Sequence, residues 1–309
     1  MAEGSEAFTE AQVITRLRTI FASSDPRIEV GIGDDAAVVV GEKRQVMTTD
    51  MAVEGVHFRS DWSTGFEIGR KVTAANAADI LAMGALPDYL LVAIGLTGLE
   101  EMSWIEDLAH GIKFEADLAG LHVIGGDISR SEKVIISMTA VGHCTRAITR
   151  NGAKVGDGIY ISSLTGWSAA GLAILQENKS PVGEEQTIAL REFKSPTIDY
   201  GFDSSKATAM CDVSDSIIEQ AAQIAASSQV QLHFEAKLFA NSEEFLPLQS
   251  VAAELNVDIW QWIFGGGEDH VLLATGLDLP GLRIGQVANG SGLSGIPAFE
   301  KNRVWSHFR

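Results

Sequence analysis

Four short segments of the 309-residue chain set aspartate beside glycine or a hydroxyl residue: Gly31-Ile32-Gly33-Asp34-Asp35, Thr48-Thr49-Asp50, Gly125-Gly126-Asp127 and Asp212-Val213-Ser214-Asp215. Carboxylate oxygens beside flexible backbone suit a hard cation such as Mg2+, which usually arrives with phosphates. The segments are spread from Asp34 to Asp215, so no single loop of the EF-hand kind can hold them. If they meet, several strands and helices must bring them together, and the product is a multi-metal, phosphate-handling site.

The length allows two domains of ordinary size, and 46% hydrophobic with 21% charged residues is the balance of a soluble globular protein. Neither a basic, apolar N-terminal leader nor a membrane-length apolar run is visible, and the longest such stretch, near Tyr89–Leu96, reads as a buried strand. Cys144 and Cys211 form no CxxC pair and read as reduced thiols of a cytoplasmic protein. The net charge of −18 argues against nucleic acid or an anionic membrane as the main partner. It also means that a polyphosphate can be held only with cations between it and the protein. An acidic surface also serves plain solubility, so charge alone decides nothing.

Thr9-Glu10-Ala11-Gln12 is a capping-box pattern, followed by apolar residues at helical spacing to about Ser23. Strands are expected at Ala36–Val40 and Gln45–Thr49, the second ending at Thr48-Thr49-Asp50. A helix over Gly65–Met83, closed by Gly84, carries Asp79 in its last turns. Strand Tyr89–Leu96, helix Glu101–Ala119, strand His122–Ile124, a Gly125-Gly126-Asp127 loop and strand Lys133–His143 complete a first unit. Polar, basic and glycine residues from Thr145 to Gly156 mark a boundary, giving domains 1–148 and 149–309. The second unit has strand Ile159–Ser162, helix Ser168–Gln176, a hard-to-read polar stretch over 177–206, strand Thr208–Cys211 and helix Ile217–Ser227. Strand Val230–Glu235, a helix within Ser242–Leu255, the Gly265-Gly266-Gly267 loop and strand His270–Ala274 close it. Strands and helices alternate outside strict βαβ order, so the fold class is α+β.

Each motif has a plain structural alternative. The Asp34-Asp35 turn and the Thr48-Thr49-Asp50 strand end are, taken alone, solvated polar groups. Gly125-Gly126-Asp127 fits a backbone approaching phosphate and a tight turn equally well. Asp212 to Asp215 precede a helix, where Ser and Asp are favoured caps and where free amides also attract anions. Asp79 is harder to set aside, because an unpartnered carboxylate within an apolar helix costs several kcal/mol. His57 reads as a loop histidine, and Arg150 either clamps a phosphate or decorates the linker. Three consecutive glycines before Glu268 point to a close backbone approach, and the terminal Val304-Trp305-Ser306-His307-Phe308 either docks on the core or stacks on a flat ring. P-loop, protein-kinase and Gly-x-Ser-x-Gly motifs are absent from the sequence.

Order and spacing carry more than any one motif. The series GIGDDAAVV, TTDMAVEGVHF, NAADILAMGALPDYLLVAIGL, VIGGD, TRNGAKVGDGIYISS, GWSAAGLAIL, DVSDS, GGGEDH and WSHF resembles the thiamine-monophosphate kinases from about Glu29 to Phe308. These are relatives of aminoimidazole ribonucleotide synthetase, selenophosphate synthetase and a hydrogenase-maturation protein. The resemblance implies an N-terminal α/β domain dimerising through its sheet and a C-terminal α/β domain covering the nucleotide. It implies transfer of the γ-phosphate of ATP to thiamine monophosphate in a cytoplasmic homodimer, with several Mg2+ ions.

Carried over by motif, the metal ligands are Asp35, Thr48, Thr49, Asp50, Asp79, Asp127, Asp212 and Asp215, with Asp34 outside the set. ATP falls to Gly126, Asp127, Arg150 and Ser214, and the thiamine compound to His57, Glu268 and Trp305. No residue is expected to act as a general acid or base; Asp50, Asp127, Asp212 and Arg150 are the critical ones. Ser216, His270 and the reduced Lys194-Ser195-Pro196 segment depart from the family pattern and put the shape of the substrate rim in question. The rivals are an aminoimidazole ribonucleotide synthetase-type ligase, to be separated by a coupled assay, and a non-catalytic nucleotide-binding scaffold, which would need no such set of aspartates.

Overall fold

The computed structural model describes residues 28–30, 34, 37–40, 44–177 and 180–299. The helix expected over 9–23, Asp35 and the terminal segment with Trp305 lie outside these residues. In the first unit the strands are β1 (Ile28–Val30), β2 (Ala37–Val40), β3 (Arg44–Val53), β4 (Leu86–Leu96), β5 (His122–Arg130) and β6 (Ile135–Cys144). They form one sheet in the order β1-β2-β3-β6-β4-β5, antiparallel except for the β4–β5 pair. Helices α1 (Gly65–Ala82) and α2 (Met102–Ala119) cover one face of it. Among the described residues nothing covers the opposite face, which carries exposed Met51, Tyr89 and Leu91.

The second unit has strands β7 (Gly158–Ile161), β8 (Ala207–Val213), β9 (Gln231–Phe234), β10 (Val271–Gly276), β11 (Leu282–Ala288) and β12 (Gly292–Ser294). Their order is β12-β9-β11-β7-β10-β8, with β12–β9 the parallel pair. Its helices are α3 (Trp167–Gln176), α4 (Gly183–Lys194), α5 (Ile217–Ser228), α6 (Ala236–Phe239), α7 (Phe245–Glu254) and α8 (Ile259–Gly265). Two mostly antiparallel sheets with helices set between strands bear out the α+β expectation.

Alternation along the inner strands explains how the units meet. Cys211, Val213, Val271 and Leu273 point into the larger core with α3, α5 and α8. Met210, Leu272 and Ala274 point the other way, into a cluster with Ala82 at the end of α1. α1 therefore lies between the two sheets. That position requires small apolar residues on all sides, which Ala74, Ala77, Ala78 and Ala82 supply. Thr64 and Glu67 form a capping box at its start, and Gly84 takes the left-handed turn just past its end.

Two expectations are corrected. Gly125-Gly126-Asp127 is not a loop but the middle of β5. A side chain at Gly126 would collide with the carbonyl oxygen of Val92, so glycine there serves the close pairing with β4. Thr48-Thr49-Asp50 is not a strand end, because β3 continues to Val53. The polar stretch 177–206 contains α4, whose few buried positions (Gln186 and Ala189) leave little apolar pattern to read.

Candidate active site

The seam between the two units gathers titratable side chains from five segments. Thr48 and Asp50 lie on the side of β3 that faces α1, two residues apart. The Thr48 hydroxyl donates to Asp79 Oδ2 on α1 at 2.6 Å, so Asp79 is partnered within the protein. Asp212 is the penultimate residue of β8, in register with Leu272, and so projects toward α1. It is 2% exposed and meets His270 Nδ1 at 3.1 Å. The first turn of α5 is capped by Ser216 through Glu219 N–H, so Asp212 has no capping duty.

Asp50 is near enough to Asp212 and Glu268 to feel both. Burial first, then these two carboxylates, push its carboxyl up to about 6 against the opposing pull of His270. Burial would strip the charge from Glu268 as well. Lys71 of α1, at 3.0 Å, outweighs it with help from His270 and His57, and Glu268 is held down at about 2. His270 gains basicity despite its burial, through its bond to Asp212 and the charges of Glu268 and Asp50. The seam is thus a carboxylate cluster from both units, with Lys71 and His270 as its internal cations.

The loop that delivers Glu268 is held tightly. Glu268 N–H donates to Ser214 O at 2.6 Å and His270 N–H to Val213 O at 2.9 Å. A side chain at Gly267 would strike the carbonyl oxygens of Asp215 and Ser214, so the close approach expected of the glycine run is to the protein's own backbone. Glu268 and His270 both take positive φ, 66° and 51°, a conformation side chains resist and one that gathers at functional sites. Asp269 between them turns away and accepts from Gly166 N–H at 2.7 Å and Ser168 N–H at 3.0 Å, capping α3.

The remaining residues singled out in the sequence divide into groups. His57 Nδ1 accepts from Val53 N–H at 3.1 Å, and the ring lies in the neighbourhood of Glu268. Arg150 is buried, its guanidinium 2.8 Å from Asp34, and it reaches Gln220 at 3.5 Å. Gln220 in turn donates to Ser214 Oγ at 3.4 Å, so Arg150 and Ser214 share a network. Asp215 sits in the bend after β8, its backbone against Gly267.

Thr49 is on the uncovered side of β3 and donates to Met138 O at 2.7 Å. Asp127 is exposed on the edge strand, level with Ala93, Ser137 and Met51. Three strand spacings, about 14 Å, separate it from β3. The described residues contain no ready-made group of three or more His, Cys, Asp or Glu side chains arranged to hold one ion. Lys71, Asp269 and Gln220 were not singled out in the sequence, and Asp34 was named only as lying outside the ligand set. Their partners are distant in the chain, and only the flanking Gly265-Gly266-Gly267 run hinted at the loop holding Asp269.

Residues 33–144 match the family described as AIR synthase related protein, N-terminal domain. Thiamine-monophosphate kinase of Mycobacterium tuberculosis (strain CDC 1551 / Oshkosh) is 36% identical over 252 residues, 79% of this chain and 74% of that protein. The enzyme of the same name from Aquifex aeolicus (strain VF5) is 32% identical over 289 residues, 90% of this chain and 92% of its own length. The solved structure of AaThiL complexed with AMPPCP and TMP superposes with a TM-score of 0.88 and 28% identity, covering all of both chains. This chain is a kinase, and it belongs to the thiamine-monophosphate kinase family.

Proposed function

We propose that the protein transfers the γ-phosphate of ATP to thiamine monophosphate, giving thiamine diphosphate and ADP. The observation that carries this reading is the seam itself: Asp50, Asp212 and Glu268 converge from two sheets on a site where their negative charges crowd one another. Crowded oxygen donors of this kind fit Mg2+, which takes its remaining ligands from phosphate and water. Asp50 and Asp212 would hold such ions here, with Asp79 beside Thr48, and Asp35, Thr49, Asp127 and Asp215 as further ligands. When bound, the ions supply charge neutralisation and alignment of the phosphate oxygens.

The acceptor is a phosphate monoester with a second pKa of about 6, already a nucleophile near neutrality. No side chain is needed to remove a proton. What the protein must do is hold two anions in line and exclude water. Arg150 and Ser214, joined through Gln220, are assigned to ATP together with Gly126 and Asp127. His57, Glu268 and Trp305 are assigned to the thiamine compound. We assign residues 1–148 and 149–309 to two domains, and place the protein in the cytoplasm as a homodimer joined through the uncovered face of the first sheet. Two free, buried cysteines agree with a reducing compartment, and no helix among the described residues is long and apolar enough to cross a membrane.

The test is incubation with ATP, MgCl2 and thiamine monophosphate, with products read by mass spectrometry. Thiamine diphosphate and ADP in equal amounts are expected. ATP hydrolysis without thiamine diphosphate would refute the reading.

A further inference from the structure

Lys71 is 6% exposed and belongs to α1, yet all its polar contacts among the described residues are with the second unit. Its ammonium is 3.0 Å from Glu268 Oε2, donates to Phe193 O at 3.1 Å in the last turn of α4, and lies 4.4 Å from the Phe193 ring centroid. A buried ammonium is costly, so three simultaneous favourable contacts are what keep it there. The same region is reinforced by the Trp62–Phe193 ring contact and by Ser195 Oγ donating to Glu67 O. Lys71 therefore sits where α1, the end of α4 and the 266–270 loop meet.

Glu268 is the member of this group with a reason to move. Its neighbours include Asp50, which repels it, and its side chain retains 35% exposure, so water is within reach. Its backbone is left-handed, a conformation glycine would take without strain, yet a carboxylate-bearing residue stands there. One carboxylate oxygen pairs with Lys71, which leaves acceptor lone pairs on the other for a ligand. His57 lies near Glu268 in the same neighbourhood.

We propose that Lys71 is a positioning residue for the acceptor substrate: it fixes the Glu268 carboxylate so that it accepts a hydrogen bond from the amino group of the substrate's pyrimidine ring. The proposal rests on the assignment of Glu268 to the thiamine compound. The Lys71 ammonium is engaged by Glu268 and Phe193, so its loss should act on acceptor recognition and leave ATP binding alone.

The test compares Lys71→Met, Lys71→Arg, Glu268→Gln and the double variant Lys71→Met/Glu268→Gln. KM is measured for thiamine monophosphate, for its analogue with oxygen in place of the pyrimidine amino group, and for ATP. Thiamine monophosphate-induced thermal stabilisation is a second readout that needs no turnover. Lys71→Met is expected to raise KM for thiamine monophosphate about tenfold or more, the scale of a lost charge-assisted hydrogen bond, with KM for ATP unchanged. It should also erase discrimination against the analogue, while Lys71→Arg restores most of both and the double variant is no worse than Glu268→Gln.

An unaltered KM for thiamine monophosphate in Glu268→Gln would overturn the proposal by removing the Glu268 assignment beneath it. A normal Lys71→Met beside an impaired Glu268→Gln would overturn the role of Lys71 alone. Equal losses toward both substrates, with the analogue still rejected, would leave Lys71 a structural pin and overturn it too. If Lys71→Met does not fold, Lys71→Gln and Lys71→Arg decide by the same comparison.

Discussion

Asp50 combines a cost to the fold with a use in the site. Its carboxyl is pushed up to about 6 by burial and by its carboxylate neighbours, so the folded protein is strained by its charge whenever no cation is bound. Asp50→Asn removes that charge and keeps the shape. In metal-free buffer at pH 8 the variant should be as stable as the parent or more so, by up to about 2 kcal/mol. Its turnover should fall about 100-fold or more with the loss of a proposed ligand. Thermal melts and initial rates on one preparation check both, and a variant with undiminished turnover would contradict the ligand assignment.

Asp269 gives a pH dependence. Burial, outweighing two backbone amide donors, raises it to about 7, above the value of about 4 for an unfolded chain. The folded state then binds this proton more tightly, so the group favours folding below pH 4 and loses that contribution as pH rises toward 7. Relative to Asp269→Asn, the parent should lose on the order of 2 kcal/mol between pH 4 and pH 7, read from melts across that range. Asp79 was legible because a carboxylate within an apolar helix demands a partner, and Asp212 because its Asp-Val-Ser-Asp segment precedes a helix start that attracts anions. Lys71 and Asp269 were not, because their partners, Glu268 and the Gly166–Ser168 turn, are about one or two hundred residues distant.

Among the elements, α1 and α2 were readable nearly to the residue, and their packing has a sequence signature that is clear only in the structure. Side chains at Gly65 and Gly69 would strike the carbonyl oxygens of Trp104 and Leu108, and one at Gly111 that of Phe66. The helices approach closely because these three positions are bare. Gly111→Ala would gain helix propensity but force the backbones apart, and the second effect wins by about 2 kcal/mol. A lowered denaturant midpoint with an unchanged slope is the expected result. Arg70 and Tyr200, both bonded to the buried Glu115, tie the same helix pair to the 198–202 segment. Elements that escaped the sequence reading did so for physical reasons. α8 is one continuous apolar run, Ile259 to Phe264 around a single Gln, with no polar face to reveal its period. β12 is a three-residue edge strand, β11 alternates weakly in burial although β9 and β7 flank it, and β5 hid its length behind two glycines that normally signal a turn.

At the scale of the molecule, α1 solves one problem and the first sheet leaves another open. Threading α1 between the sheets lets Lys71 meet Glu268 and Phe193 of the second unit, while Asp79 is held by Thr48 of the first and Asp50 and Asp212 approach each other across the same seam. The order of motifs made the two-unit plan readable, but the sandwiching of α1 was not, since an all-round apolar helix shows only that it is buried. The opposite face of the first sheet has no such partner among the described residues. Tyr89 and Leu91 on β4 and Met51 on β3 are 47%, 41% and 57% exposed, and the edge strand β5 bares Val123, Ile124 and Ile128 along the rim of the sheet, Val123 and Ile128 on the helix side, level with Leu90 and Ile94. An edge and a face of this kind invite association or aggregation unless a second copy covers them. Pairing two copies about a twofold axis would bury both at once, and it would also enclose Thr49 and Asp127, the two proposed ligands on that side of the sheet. The parent should therefore run at twice its 33.0 kDa chain mass in light scattering. Leu91→Glu places a charge at the centre of the patch and should shift the population to monomer with lowered activity. A parent that is monomeric at micromolar concentration yet fully active would show that the exposed face has another purpose.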